Sequence, residues 1–251
     1  MIHVNPAGAK CPMLAMPDER PDATAGVPHE EPAMHAHATL SIIHDEHNVL
    51  SAVLRTIGLM LGEHRRRQTL PDLAMLRAML FYVDEFPERL HHPKETQLLF
   101  PRIRERSGGE LAEVLDRLDH DHAHSQKAVR DIQHELLGLE MMSGAADAQS
   151  RRVRFEGSMQ AYIDAYLEHI RIEERLVLPL AEKVLTTADW AILDAAFMQN
   201  HDPLTRREAD DPYQPLFRRI LTTLAAPLGL GPALEAMAIA GRGAGTPSSF
   251  R

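Results

Sequence analysis

Residues 91–101 read HHPKETQLLFP. Two adjacent histidines, a glutamate and two prolines share this short stretch. A surface loop would accommodate the prolines. It gives no reason for the spacing of His91 and Glu95, which puts both on one face of a helix, one turn apart. The same His-x-x-x-Glu spacing recurs at His169 and Glu173 in HIRIEERLVLP. A proline inside a helix costs about 3 kcal/mol and removes a backbone bond. Pro87, Pro93 and Pro101 together therefore argue against a straight helix. The stretch reads as a kinked helix, kinked at its prolines, whose bend aims His91 and Glu95 at a common target. His92 has three roles open to it: supporting group, spare ligand, or a side chain pointing at water.

Outward from this stretch the pattern is helical. Leu40, Ile43, Leu50, Leu54, Ile57 and Leu61 recur at steps of three and four, one apolar helix face ending near Arg67. Thr69-Leu70-Pro71-Asp72 reads as a cap with a first-turn proline. It opens a second run that ends near Arg106, before Ser107-Gly108-Gly109. A third run spans about residues 110–142 and carries Leu111, Leu115, Leu118, Val129, Ile132 and Leu136. A fourth spans about 145–185, with Phe155, Met159, Tyr162, Tyr166, Leu176 and Leu180 on one stripe. No segment alternates like a strand. The expected fold is all-α, an up-down-up-down four-helix bundle with short additional C-terminal helices. The expected organisation is a disordered tail over 1–38, which holds six prolines, the bundle over 39–186, and a helical extension over 187–251. Within the extension, Thr187-Ala188-Asp189-Trp190 reads as a capped start, and a further short helix is expected around 213–224.

Helix phase sorts the histidines. In HDEH, His47 is in step with Ile43, Leu50 and Leu54, while His44 faces outward with Ser41 and Arg55. In DHDHAH, His120 and His124 have tempting ligand spacing but share a stripe with Glu113, Arg117, Lys127 and Asp131. His122 instead keeps company with Leu115, Leu118 and Val129. His169 follows Tyr162 and Tyr166, with Glu173 one turn on and Glu174 at the stripe's margin. The inward set is His47, His91, Glu95, His122, His169 and Glu173, drawn from all four long helices. Unpaired buried carboxylates cost several kcal/mol or take up protons, and no inward Lys or Arg sits on these stripes. A metal resolves the conflict.

Nitrogen-rich, thiolate-free ligation suits iron, with manganese or zinc as alternatives. Six side chains exceed the needs of one four-coordinate zinc. If both glutamates bridge, the set makes about eight bonds to two ions that need about twelve, leaving positions for a small ligand.

The segments HDEHNVL, FPERLHHPKETQLLFP, DHAHS and HIRIEERLVLPLAEKVL resemble the hemerythrin-like, or HHE cation-binding, family over about residues 39–186. LTTADWAILDAAF resembles the continuation in many bacterial members. The resemblance implies a four-helix bundle holding a non-haem di-iron centre, two iron ions joined by an oxo or hydroxo bridge. It implies ligands at the six residues that helix phase selects. It departs from the oxygen-carrying members in the third helix, where those supply His-x-x-x-His. Here Gln126 follows His122 by four and Leu118 precedes it by four. His92, Glu174 or water is then expected to fill the missing place, with a site more open to solvent. Ferritin-like di-iron proteins use Glu-x-x-His pairs, a spacing absent from the inward positions.

The expected function is binding or sensing of dioxygen, nitric oxide or peroxide, in a stress response. The alternatives are a peroxide- or nitric-oxide-reducing enzyme with an external reductant, and iron storage or supply. Tyr166, one turn before His169, is a candidate donor to a bound ligand or else a core tyrosine with its hydroxyl at the bundle edge; His44 is a further candidate near the site. The extension, with an exposed Trp190, is read as a cap on the bundle end or as a surface for a homodimer or regulatory partner. The net charge of −9 argues against nucleic acid. No apolar run approaches a membrane span, and no signal-peptide pattern opens the chain, so a cytoplasmic location is expected. Cys11 stands alone and excludes thiolate metal sites.

Overall fold

The computed structural model describes residues 37–200, 202, 204, 205 and 220. Those expected for the tail, for a helix around 213–224 and for the Gly/Pro-rich end lie outside the described residues, apart from His37, Ala38 and Ile220. The chain divides into Met1–His35 and Ala36–Arg251, and everything below belongs to the second unit.

Among the described residues the protein is all helical, with no strand. α1 spans Ala38–Arg67. α2, Leu73–Glu85, is capped by Asp72, whose carboxylate accepts from the Met75 N–H at 3.0 Å. Pro71 therefore precedes the cap instead of standing in the first turn. The run continues through α3 (His92–Lys94) to α4 (Phe100–Ser107), and Gly108 closes it at φ 63, a conformation glycine adopts without a Cβ penalty. α5 is Ala112–Met141, α6 Ala148–Ile172, α7 Leu178–Val184 and α8 Thr187–Phe197. Leu111, expected on the inward stripe of the third run, sits at φ 60 just outside α5.

Three single π turns interrupt these runs: Pro87–His91, Glu95–Leu99 and Glu173–Val177. They share one sequence device. In each, the residue that closes the wide turn is followed by proline: His92 donates to the Pro87 carbonyl before Pro93, Phe100 to Glu95 before Pro101, and Leu178 to Glu173 before Pro179. A proline ring presses on the carbonyl four residues back, which is that of Arg89, Gln97 or Arg175, inside the wide turn each time. Widening relieves that clash. The expected kink thus takes the form of π turns, which recur at functional sites.

The extra residue of a π turn rotates everything after it. Leu176, expected on the inward stripe, is instead exposed, while Val177 and Leu180 are buried. The stripe holds as far as Glu173; beyond it, where the i→i+5 bond resets the phase, Leu176 leaves it for the surface and Val177 turns inward, while Leu180 stays buried as expected.

Two apolar clusters flank a polar layer. One joins Val53, Leu54 and Ile57 to Leu76, Met79, Val83, Ile132, Leu136, Phe155 and Met159. The other joins Ile43, Leu99, Phe100, Ile103, Leu115, Leu118, Val177 and Leu178 to Trp190 and Phe197 of α8. Phe155 is 1% exposed. Phe155→Ala should cost about 3–5 kcal/mol, the usual price of emptying an aromatic core site, read as a lower midpoint in denaturant at unchanged slope.

Trp190, expected exposed, is buried and stacks on His37 with centroids 4.2 Å apart. Its helix turns that face inward because Thr186 and Asp189 form a reciprocal capping box and Asp189 also pairs with Arg106. The cap residue is Thr186, one before the expected start. Asp194 accepts from the Thr39 N–H and hydroxyl at 2.8 and 2.7 Å, tying α8 to the start of α1.

Beyond α8, Asp202 accepts from the Tyr82 hydroxyl at 2.7 Å. Burial pushes its carboxyl up from 3.8 to about 6. The folded state therefore holds this proton more tightly than the unfolded chain. Its contribution is full below about pH 4 and is lost as pH rises to about 6. In metal-free protein, Asp202→Asn should abolish that fall, so that the variant's thermal midpoint gains on the parent's between pH 4 and 6.

Candidate metal centre

The structure brings the six inward residues together and adds a seventh. His47, His91, Glu95 and Glu173 form one buried group, and His92, Glu95, His122 and His169 another. Within each group the potential ligand atoms all lie within 4.8 Å of one another, and Glu95 belongs to both. His47 comes from α1, His91 and Glu95 from the first two π turns, His122 from α5, His169 from α6 and Glu173 from the third π turn.

The imidazoles converge through Nε2. His47 and His91 meet Nε2 to Nε2 at 3.2 Å, and His122 and His169 at 3.0 Å. The same nitrogens approach the carboxylates: His91 to Glu95 and His169 to Glu173 at 3.2 Å, His47 to Glu173 at 3.3 Å, His122 to Glu95 at 3.5 Å. Yet none of these contacts has hydrogen-bond geometry at the acid, and all four oxygens of Glu95 and Glu173 are buried without a hydrogen bond. Such orphans cost about 1–3 kcal/mol each, more when charged. Lone pairs from both residue types point at shared space, which is the donor set a cation requires. The residues present fit a metal.

Each Nδ1 is held from outside. His47 donates to Glu174 at 3.1 Å, His91 to Glu46 at 2.7 Å, His92 to Glu88 at 3.1 Å, and His169 approaches Asp121 at 3.5 Å. His122 Nδ1 bonds the Thr96 hydroxyl at 2.8 Å. An ionised carboxylate only accepts, so those rings carry a proton on Nδ1 and turn Nε2 inward, where a metal would take the place of any proton that Nε2 holds. This outer ring fixes tautomer and orientation, as in carboxylate–histidine–metal triads. Glu88 is itself held by Tyr162 at 2.9 Å and Ser125 at 2.7 Å.

His44 is outward, as its phase predicts, and donates to the same Glu174 oxygen as His47, at 3.1 Å. Glu174 supports two rings and is not in either group. The two hydrogen bonds, His47's first, hold its carboxyl down at about 2 against the opposing effect of burial. His92 is buried, and both its nitrogens are engaged: Nδ1 with Glu88, Nε2 with the Tyr166 hydroxyl at 2.5 Å. Tyr166 donates, because the ring proton is already on Nδ1. Its hydroxyl points into the site, not to the bundle edge. His120 and His124 lie tilted against each other with centroids 4.0 Å apart, outside both groups.

Without a metal the centre organises itself around protons. Burial works against charge on His91 and His169. Glu95 and Glu46 nevertheless raise His91 well above its ordinary value, and Glu173 and Asp121 raise His169 to about 10. Burial and the charges of its histidine neighbours push His92 and His122 well below theirs. Burial, then the charge of Glu173, raises Glu95, while the imidazoles of His169 and His47 overcome burial and hold Glu173 well below the carboxylate range.

The second group opens on a cleft of about 620 Å³ between α5 and α6, floored by His92, His122, Tyr166 and His169, with Ala128, Ile132 and Ala165 on its walls. Sequence phase did not find Glu46, Glu88, Asp121 or Thr96. Two signals were present: Glu88 stands four before His92, and Glu46 lies inside HDEH.

Neither the curated proteins nor the solved structures gave a match. The family model described as the hemerythrin HHE cation binding domain matches residues 38–181, more than half of the chain. With its helical fold and its buried His/Glu cluster, the chain belongs to the hemerythrin HHE cation-binding family.

Proposed function

We propose that His47, His91, Glu95, His122, His169 and Glu173 would hold two non-haem iron ions, and that the centre binds or senses dioxygen, nitric oxide or peroxide. The observation that carries this reading is the set of four orphaned carboxylate oxygens facing inward-turned Nε2 atoms. Two clusters sharing Glu95 support two ions rather than one. Ligation by nitrogen and oxygen without sulfur supports iron. The carrying frame is read as four antiparallel runs, up-down-up-down: α1, then α2 through α4, α5, and α6 with α7.

Iron would supply redox change and open coordination positions for a small ligand. The chain does the rest. Glu174, Glu46, Thr96 and Asp121 keep the rings oriented. The apolar clusters keep water from the first group, and the cleft admits ligand to the second. Tyr166 and His92 stand on the floor of that cleft, with Glu88 behind to take or return a proton at His92 Nδ1. His92 is the reserve ligand for the place that a second α5 histidine would fill.

The enzymatic alternative is favoured by the same cleft, since an accessible site suits turnover. Stopped-flow mixing of the reduced, iron-loaded protein with each ligand separates the two. A spectral change that reverses on ligand removal supports binding or sensing. Sustained consumption of peroxide or nitric oxide with an added reductant supports the enzyme. No reaction with any of the three overturns both.

A further inference from the structure

The residues that orient the first group are themselves held from beyond the matched stretch. Asn200 lies past α8, outside residues 38–181, and is 1% exposed. Its Nδ2 donates to both oxygens of Glu46, each at 3.1 Å. Its Oδ1 accepts from the Lys94 ammonium. Those two partners settle which way the amide points, since an ammonium cannot accept and a carboxylate cannot donate. Glu46 in turn accepts the His91 Nδ1 proton at 2.7 Å. Phe197, fully buried at the end of α8, sets its ring edge-on to His91 with centroids 6.2 Å apart.

We propose that Asn200 is a positioning residue for the metal centre: the turn after α8 is a latch that fixes Glu46 and, through it, the Nε2 of His91. This rests on the two-metal reading above. Among the described residues, no comparable contact from beyond α8 reaches the second group. His92, His122 and His169 are oriented by Glu88, Thr96 and Asp121, none of which touches Asn200. The latch is therefore specific to one half of the site. Loss of a group that hydrogen-bonds a ligating histidine typically weakens metal binding 10–100-fold; Glu46 is that group for His91, and Asn200 acts by holding Glu46 in place.

Two measurements on the full chain test this. In metal-free protein, nitrogen NMR of the His91 Nδ1–H should show slow solvent exchange in the parent and at least tenfold faster exchange in Asn200→Ala. In protein loaded anaerobically with ferrous iron and challenged with excess bipyridine, Asn200→Ala should release one of the two irons at least tenfold faster, the other at the parent rate. Ile192→Ala, on the exposed side of α8, should leave both readouts unchanged. Unchanged exchange and release in Asn200→Ala would overturn the latch, as would equal acceleration of both irons together with a lower metal-free melting point, which marks simple loosening. A parent chain that never holds two irons refutes the two-metal reading instead, and the exchange measurement still judges the contact between Asn200, Glu46 and His91.

Discussion

Glu95→Ala is expected to leave the protein with neither metal, whereas His120→Ala keeps both. Glu95 is fully buried, belongs to both groups and has two unbonded oxygens. Removing it would take one donor from each of the two proposed ions and, with it, negative charge from groups whose other acidic member is Glu173. His91 would lose its nearest inward carboxylate and His122 the acid at 3.5 Å. The variant should bind metal at least 100-fold more weakly at both positions, enough to lose it on gel filtration. His120 has the sequence look of a ligand, four before His124, but its ring lies tilted against that one and belongs to neither ligand group. Metal per chain, measured on both variants after identical loading, checks the pair of outcomes. Two metals retained by Glu95→Ala would contradict its role as a ligand shared by both groups.

Metal loading is expected to release protons. In the metal-free protein His91 and His169 hold protons at neutral pH, and His47 is raised as well by Glu173 and Glu174 acting against burial. A cation needs bare Nε2 lone pairs, so it must displace them. Affinity then falls about tenfold for each unit by which the pH is lowered, per proton displaced. Calorimetric titration in two buffers of different ionisation enthalpy measures the number, and more than one proton per chain is expected near pH 7. Zero would mean that the rings are neutral before the metal arrives. The same pairs act on folding with a fixed sign. A histidine raised from 6.5 to about 10, as His169 is, stabilises the metal-free fold fully below about pH 6.5 and loses that contribution as pH climbs toward 10. Metal-free protein should therefore melt lower at pH 9.5 than at pH 6.5, with bound metal removing most of the difference.

Helix phase reached His47, His122 and His169 because α1, α5 and α6 are regular up to those residues, so one angle per residue carries through. It rejected His120 and His124 for the same reason. The method failed where the chain leaves the α register. Leu176 was misplaced because the π turn at Glu173 adds a residue. His92 was left open because π turns lie on both sides of it, and two consecutive histidines are both buried there. The prolines that cause those turns were visible, and so was their proximity to both His-x-x-x-Glu pairs. What they do to the backbone was not. The acceptors behind each Nδ1 were hidden for another reason. Glu46 and Asp121 are hydrophilic neighbours of inward residues, and only the assembled bundle shows that they hydrogen-bond a ring on another helix. Asn200 lies furthest from legibility, since its role depends on where α8 docks. Trp190 failed likewise: the capping box was readable, the face it buries was not.

Metal analysis combined with an optical spectrum, on protein purified from iron-rich medium, tests the central claim most directly. Two irons per chain with oxo-to-iron charge-transfer bands is the predicted result. A single stoichiometric zinc, or a protein that takes up no metal, would contradict it.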